Sequence, residues 1–121
     1  MQDTSFGLRI RVVFAADAML GPGKAELLDL IGQTGSISAS GRRMGMSYKR
    51  AWMLVETLNA MFSEPLVTSS RGGPGGGGAV LTEAGRAVLG LYRELERAAA
   101  VAGAAQLEAL HARLKPATLA K

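Results

Sequence analysis

Residues 35–62 read GSISASGRRMGMSYKRAWMLVETLNAMF, and this pattern predicts two helices joined by a tight turn. Ser36 and Ser38 are both suitable N-cap residues for a short first helix, because a serine oxygen accepts hydrogen bonds from the backbone of a helix's first turn. Gly45 ends that helix, and Ser47 caps a second, longer one. The connection between the two helices is therefore short.

The second of these helices has the clearest amphipathic pattern in the chain. Its apolar residues recur about every 3.6 positions, the period of one helix face; they are Tyr48, Ala51, Trp52, Val55, Leu58, Met61 and Phe62. Trp52 shares this stripe with Val55 and Phe62, so we expect it to be a core residue rather than a contact residue. Tyr48 begins the stripe but also lies in the first turn, so a core position and an exposed one remain equally open for it.

The residues before this pair predict a strand and a further helix. Within residues 8–14, every second residue from Leu8 to Phe14 is apolar while Arg9 and Arg11 lie on the other face, which is the period of a strand. Residues 24–31 then place apolar side chains at helical spacing. We expect Gly32 and Gly35 to end this helix, since glycine adopts the left-handed conformation that closes helices.

The residues after the pair predict a β-hairpin with a glycine-rich tip. Pro65 stops the second helix, and residues 66–70 have the β-branched and apolar content of a strand. The loop over residues 71–78 contains six glycines and a proline. Residues 79–81 can then return as the second strand.

Two helical segments complete the chain. Thr82 followed by Glu83 is typical of a helix start, and the helical pattern continues to about Gly103. A last helical segment must end before Pro116. The long helix has a wide alanine and leucine face that three short helices cannot cover, which favours a dimer interface.

Together these elements predict a mainly α fold with a small β-hairpin. Two helices around a tight turn, followed by a hairpin, form a winged helix-turn-helix, in which the second helix enters the major groove of DNA. We expect residues 1–121 to form a single domain of this kind, with a core over residues 8–81 and dimerisation helices over residues 82–115.

The composition excludes several other classes of protein. Of the 121 residues, 48% are hydrophobic and 20% are charged, which is typical of a globular chain rather than a disordered one. No apolar run approaches the ~20 residues of a membrane-spanning helix, and the acidic start is unlike a secretory signal. We therefore expect a soluble, cytoplasmic protein. With no cysteine and one histidine, we expect no metal, no cofactor and no catalytic residue.

The charge distribution points to a nucleic-acid partner. No Asp or Glu occurs over residues 30–55, whereas four basic residues do, and these equal the whole net charge of +4. A basic patch on an otherwise balanced chain is typical of a surface that binds the phosphate backbone of double-stranded DNA. Such a cluster is also compatible with an ordinary solvated surface.

Each candidate contact has a chemical reason. Lys49 and Arg50 begin the second helix and can reach guanine or phosphate, whereas Arg42 and Arg43 on the preceding helix would contact the backbone. Met53 is on the outer face and can touch a thymine methyl group. The complete set of predicted DNA-binding residues is Ser36, Ser38, Arg42, Arg43, Ser47, Tyr48, Lys49, Arg50, Met53, Arg71, Gly72 and Gly73.

Two motifs resemble the N-terminal DNA-binding domain of the ModE-type, molybdate-responsive transcriptional regulators. The first is Ser47-Tyr48-Lys49-Arg50-Ala51-Trp52, after a Gly-Ser-Ile-Ser opening; the second is the glycine run that leads into Leu81-Thr82-Glu83-Ala84-Gly85. The resemblance covers about residues 8–95. It implies a dimeric, sequence-specific transcriptional regulator that binds an inverted-repeat operator.

The resemblance does not extend to ligand sensing. Full-length members of that family are described by a second region of small β-barrel modules that bind molybdate or tungstate, and nothing after Gly103 has strand alternation. We therefore do not expect molybdate to bind this chain.

Other functions fit the sequence less well. An enzyme would need a nucleophile with a base or a carboxylate pair, and no motif supplies either. The glycine run lacks the Gly-Lys-Ser/Thr ending of a nucleotide-binding loop. The alternatives that stay open are a winged helix that binds a protein partner and a DNA-binding protein without sequence preference.

Overall fold

A computed structural model of the protein describes residues 7–70 and 78–119. Within them, a short antiparallel hairpin and three helices are followed by a second hairpin and three more helices. This order forms a winged helix-turn-helix with a long helix after the wing. The elements are β1 (Val12–Ala15), β2 (Ala18–Leu20), α1 (Pro22–Thr34), α2 (Ile37–Arg43), α3 (Tyr48–Met61), β3 (Val67–Ser70), β4 (Gly78–Leu81), α4 (Glu83–Ala102), α5 (Ala104–Ala112) and α6 (Pro116–Leu119).

The N-terminal strand differs from the prediction. A strand over residues 8–14 was expected, but β1 begins at Val12 and pairs with β2, which the sequence analysis missed. Residues 8–11 do not continue the strand, because the Tyr92 hydroxyl donates a hydrogen bond to the Ile10 carbonyl and fixes this segment against α4. β2 has only three residues, which is too short to show an alternating pattern.

α1 also differs at its C-terminal end. Gly32 was expected to help end the helix, but α1 continues through it to Thr34. A Cβ at Gly32 would lie 3.2 Å from the Leu81 side chain, so this glycine makes room for β4. The prediction for Gly35 is confirmed: its φ is 69°, and its N–H donates to the Ile31 carbonyl at 2.9 Å.

The predicted helix pair, hairpin and long helix are confirmed. Ser36, Ser47 and Thr82 cap α2, α3 and α4, and β3 pairs with β4 from Val67–Leu81 to Ser70–Gly78. α4 ends where expected, at Gly103, and α5 ends before Pro116. The buried core is formed mainly by α1 and α3, whose fully buried large side chains include Leu27, Leu28, Ile31 and Leu58.

The backbone around Leu66 joins three parts of the fold; we call Asn59, Leu66, Thr82 and Gly85 the Leu66 junction. Asn59 at the end of α3 accepts a hydrogen bond from the Leu66 N–H at 2.8 Å. On the other side, the Thr82 N–H donates to the Leu66 carbonyl at 2.9 Å. Gly85 lies against this same carbonyl, so α4 approaches the chain more closely than a side chain would allow.

We expect the Gly85→Ala substitution to lower the free energy of unfolding by about 3 kcal/mol, because its Cβ would overlap the Leu66 carbonyl. Gly90 offers a matched control in the same helix, since a Cβ there meets nothing within 4 Å. Gly90→Ala should raise stability by about 0.5 to 1 kcal/mol through its higher helix propensity. Urea denaturation followed by circular dichroism measures both, and equal stabilities would contradict this description of the junction.

Candidate nucleic-acid interface

The N-terminal turns of α2 and α3 are fixed by serine caps. The Ser36 hydroxyl accepts a hydrogen bond from the Ala39 N–H at 3.0 Å, and the Ser47 hydroxyl accepts one from the Arg50 N–H at 3.1 Å. Ser36 is only partly exposed, whereas Ser47 is exposed. Both oxygens therefore have a structural partner, and Ser47 is the more accessible of the two.

The outer face of α3 is basic at its start. Four side chains are exposed there: Tyr48, Lys49, Arg50 and Met53. Exposure was predicted for Lys49, Arg50 and Met53, and it was left open for Tyr48. The opposite face is closed by Ala51, Val55 and Leu58, which are buried. The first two turns of α3 thus present two cations to solvent, and residues 30–55 contain no acidic side chain that would neutralise them.

Trp52 is a correction to the sequence analysis. It was expected in the core, but 40% of its surface is exposed. The buried face of α3 is centred on Ala51, Val55 and Leu58, and at about 100° per residue Trp52 lies well to one side of it. The apolar stripe read from the sequence is therefore wider than the face that the core covers.

A surface depression lies along the exposed face of α3. Its lining combines two cations, two hydroxyl groups and two apolar side chains: Ser47, Lys49, Arg50, Met53, Leu54 and Thr57. The Thr57 hydroxyl donates to the Met53 carbonyl at 3.0 Å and is therefore directed back along the helix. The depression brings together four of the predicted DNA-binding residues.

The cations of α2 are close to the start of α3 in the chain and are exposed as well. Arg42 donates a hydrogen bond to the Ser38 hydroxyl at 2.9 Å, so these two predicted contact residues are partners of each other. Arg43 is exposed beside them. The other predicted contacts, Arg71, Gly72 and Gly73, lie outside the described residues.

Two sets of hydrogen bonds attach the β3–β4 hairpin, which we call the wing, to the helix pair. Asn59 accepts from the N–H groups of Leu66 and Val67 and donates to the Val67 carbonyl, at 2.8 to 3.1 Å. On the other strand, the Ala79 N–H donates to the Gly35 carbonyl at 2.9 Å. The sequence analysis missed Asn59, whose only signal was a polar residue near the end of an amphipathic helix.

Arg93 joins α4 to α1 behind this interface. It lies 2.9 Å from Glu96, 3.4 Å from Asp29 and 3.8 Å from Glu26. Burial lowers the pKa of the Arg93 guanidinium, but its hydrogen bond with Glu96 and the charges of Glu96 and Asp29 outweigh burial and raise the pKa overall. Arg93 therefore stays charged and positions α4 against the helix-turn-helix.

The exposed apolar surface of α4 lies away from Arg93. Leu91 and Leu95 are exposed on it, and they belong to a series of exposed residues with spacings of four, three and four residues: Leu91, Leu95, Ala98 and Ala102. This spacing is that of the contact positions in a coiled coil. We call this series the α4 seam.

Within residues 7–70 and 78–119, no group of His, Asp or Glu side chains is arranged to hold a metal ion. Across the same residues, no helix combines the length and apolarity that crossing a membrane would take.

Comparison with known proteins agrees with this architecture. The family described as bacterial regulatory helix-turn-helix protein, lysR family, matches residues 24–86. This range contains α1 except its first two residues, all of α2 and α3, the described strands of the wing and the start of α4.

Several curated relatives match this chain over 71 to 79 residues. The molybdenum-pterin-binding protein MopB of Rhodobacter capsulatus is 47% identical over 79 residues, which are 65% of this chain and 29% of that protein. The molybdenum transport protein ModE of Herbaspirillum seropedicae is 46% identical over 71 residues, 59% of this chain and 26% of that protein. The DNA-binding transcriptional dual regulator ModE of Escherichia coli K12 is 42% identical over 71 residues, which are 59% of this chain and 27% of that protein.

These matches confirm the resemblance to ModE-type regulators. The matched segments span less than a third of the length of these three relatives.

The Ser47 cap gives a direct test of how the start of α3 is held. Ser47→Ala should lower the free energy of unfolding by about 1 kcal/mol, because the Arg50 N–H loses its acceptor. Ser38→Ala is the control, since the Ser38 oxygen bonds only an exposed arginine side chain in this region, and it should change stability by less than about 0.5 kcal/mol. Thermal and urea unfolding measure both, and an equal loss in the two variants would argue against a capping role for Ser47.

Proposed function

We propose that this chain, which belongs to the lysR family of bacterial regulatory helix-turn-helix proteins, binds double-stranded DNA as a transcriptional regulator of the ModE type. The observation that carries the proposal is the exposed start of α3, where Lys49 and Arg50 lie on a helical face whose first acidic residue, Glu56, is two turns beyond Lys49. Such a face suits the negative potential of the major groove.

In this proposal α3 enters the major groove with its first two turns. Lys49 and Arg50 then reach base edges or the nearest phosphates, and the exposed Tyr48 hydroxyl lies in the same turn. Arg42 and Arg43 on α2 face the phosphate backbone and set the register of the complex. The wing, fixed beside α3 through Asn59, would follow the backbone next to the groove.

We further propose that two chains pair through the α4 seam. Leu91 is 66% exposed and Leu95 is 43% exposed within the single chain. Pairing along coiled-coil positions would bury both side chains and remove this apolar surface from water. A two-fold dimer would present two α3 helices with centres ~34 Å or a multiple apart, which matches an inverted-repeat operator. Molybdate is not expected to alter binding by residues 1–121.

Lys49→Ala and Arg50→Ala should each weaken binding to an operator sequence obtained by in vitro selection, by about 1 to 3 kcal/mol if the residue contacts a guanine. Fluorescence anisotropy measures the affinity on DNA chosen by in vitro selection and on a scrambled duplex, over a series of salt concentrations. Affinity that is unchanged in both variants would overturn the proposed orientation of α3.

The matched comparison uses the cations of α2. Arg42→Ala or Arg43→Ala should weaken selected and scrambled DNA alike and reduce the slope of log affinity against log salt by about one, because each removes one phosphate contact. A loss limited to the selected sequence would contradict this division of roles. Failure of the unaltered protein to bind any DNA at low salt would instead favour a protein partner.

The dimer is tested by placing charge in the α4 seam. The double substitution Leu91→Glu and Leu95→Glu should convert the protein to a monomer and weaken operator binding, since two like-charged side chains would meet across the two-fold axis. Arg97→Glu, which changes charge on the same helix outside the seam, is the control and should leave the dimer intact. Sedimentation velocity reports the mass, and a monomeric unaltered protein would overturn the proposal.

A further inference from the structure

Two large apolar side chains lie exposed next to the cations at the start of α3. Trp52 is 40% exposed and Met53 is 56% exposed. They follow Lys49 and Arg50 by one turn, so they lie in the middle of the surface that the proposed function places in the major groove. A surface that only attracted phosphate would gain nothing from these side chains, because exposing apolar area to water is unfavourable.

Met53 has the more defined surroundings. It lines the depression of α3 together with Leu54 and the cations Lys49 and Arg50. Because Lys49 is four residues before Met53, the two side chains occupy the same side of the helix one turn apart. The lining of the depression therefore combines apolar side chains with positive charge.

Trp52 lies on the same side of α3 as Asn59. Asn59 is seven residues later, two turns along the same side of the helix, and it bonds the strand β3. Trp52 and Met53 are consecutive, so their side chains diverge by about 100° around the helix. This separation suits contacts with two different base pairs rather than with one.

The chemistry of the major groove supplies a partner for this combination. Its rim carries phosphates, and on its floor the 5-methyl group of thymine is the apolar group that distinguishes one base from another. A second copy of this same face would bring like charges together, because residues 30–55 contain basic but no acidic side chains. DNA offers phosphates for the cations of α3 and thymine methyl groups for its exposed apolar side chains.

We propose that Trp52 and Met53 read thymine methyl groups, so that the operator half-site contains thymine at the positions under the second turn of α3. This inference rests on the proposed function and adds the class of base that α3 selects. Lys49 and Arg50 supply the polar and charged contacts in the groove, and the apolar pair adds discrimination at thymine. Glu56, exposed one turn after Trp52, limits the surface that can face phosphate.

The test removes the methyl groups and nothing else. A double-stranded DNA is first selected from a random library with the 121-residue protein. Each thymine of the selected half-site is then replaced in turn by deoxyuridine, and affinity is measured by fluorescence anisotropy. We expect at least one replacement to weaken binding about fourfold, the loss that corresponds to one buried methyl group.

Variants assign the effect to the side chains. Met53→Ala should bind the thymine and deoxyuridine duplexes equally at the position that Met53 reads, and Met53→Leu should restore the difference. Trp52→Ala should remove the difference between the thymine and deoxyuridine duplexes at a separate position, and circular dichroism checks that this variant is folded. If Trp52→Ala unfolds, the Met53 variants still test the proposal, because Met53 is more exposed. Lys49→Ala is the matched control, because it should weaken both duplexes while keeping their ratio.

The outcomes separate this inference from the proposed function. Selection of a DNA sequence whose binding is unaffected by deoxyuridine at every position would overturn the methyl reading and leave DNA recognition standing. Sensitivity that persists unchanged in both Met53→Ala and a folded Trp52→Ala would also overturn it. Failure to select any DNA would overturn both proposals.

Discussion

The backbone of Leu66 is the point on which the arrangement of the molecule depends. Its N–H is bonded to Asn59 of α3, and its carbonyl is bonded to the N–H of Thr82 at the start of α4. Because Gly85 has no side chain, α4 can pass directly over this carbonyl. The backbone of one residue thus links α3, the wing and α4, and the bonds of Arg93 to α1 and of Ala79 to Gly35 add to this arrangement.

The sequence predicted those features that depend on local chemistry. Serine and threonine caps, the left-handed glycine after α1 and the proline that limits α3 act within a few residues, so Ser36, Ser47, Thr82 and Gly35 could all be assigned correctly. The wing strands could be placed for the same reason, because a proline and a glycine-rich loop bound them.

The features that were wrong or missed depend on contacts between distant parts of the chain. Gly32 lies within α1 with the Leu81 side chain beside it, and Ile10, just before β1, accepts a hydrogen bond from Tyr92 of α4. Trp52 was assigned to the core because an apolar period does not show how much of a helix the neighbouring elements cover. Asn59 acts across seven and eight residues on backbone atoms, which leaves no recognisable pattern in the sequence.

The start of α3 is already ordered in the unbound protein. The Ser47 cap fixes its first turn, and Ala51, Val55 and Leu58 hold its inner face in the core. The backbone that carries Lys49 and Arg50 therefore has little conformational entropy left to lose on association. Recognition by such a preorganised helix resembles rigid docking more than folding coupled to binding, so adaptation to different operators would fall to the side chains and to the DNA.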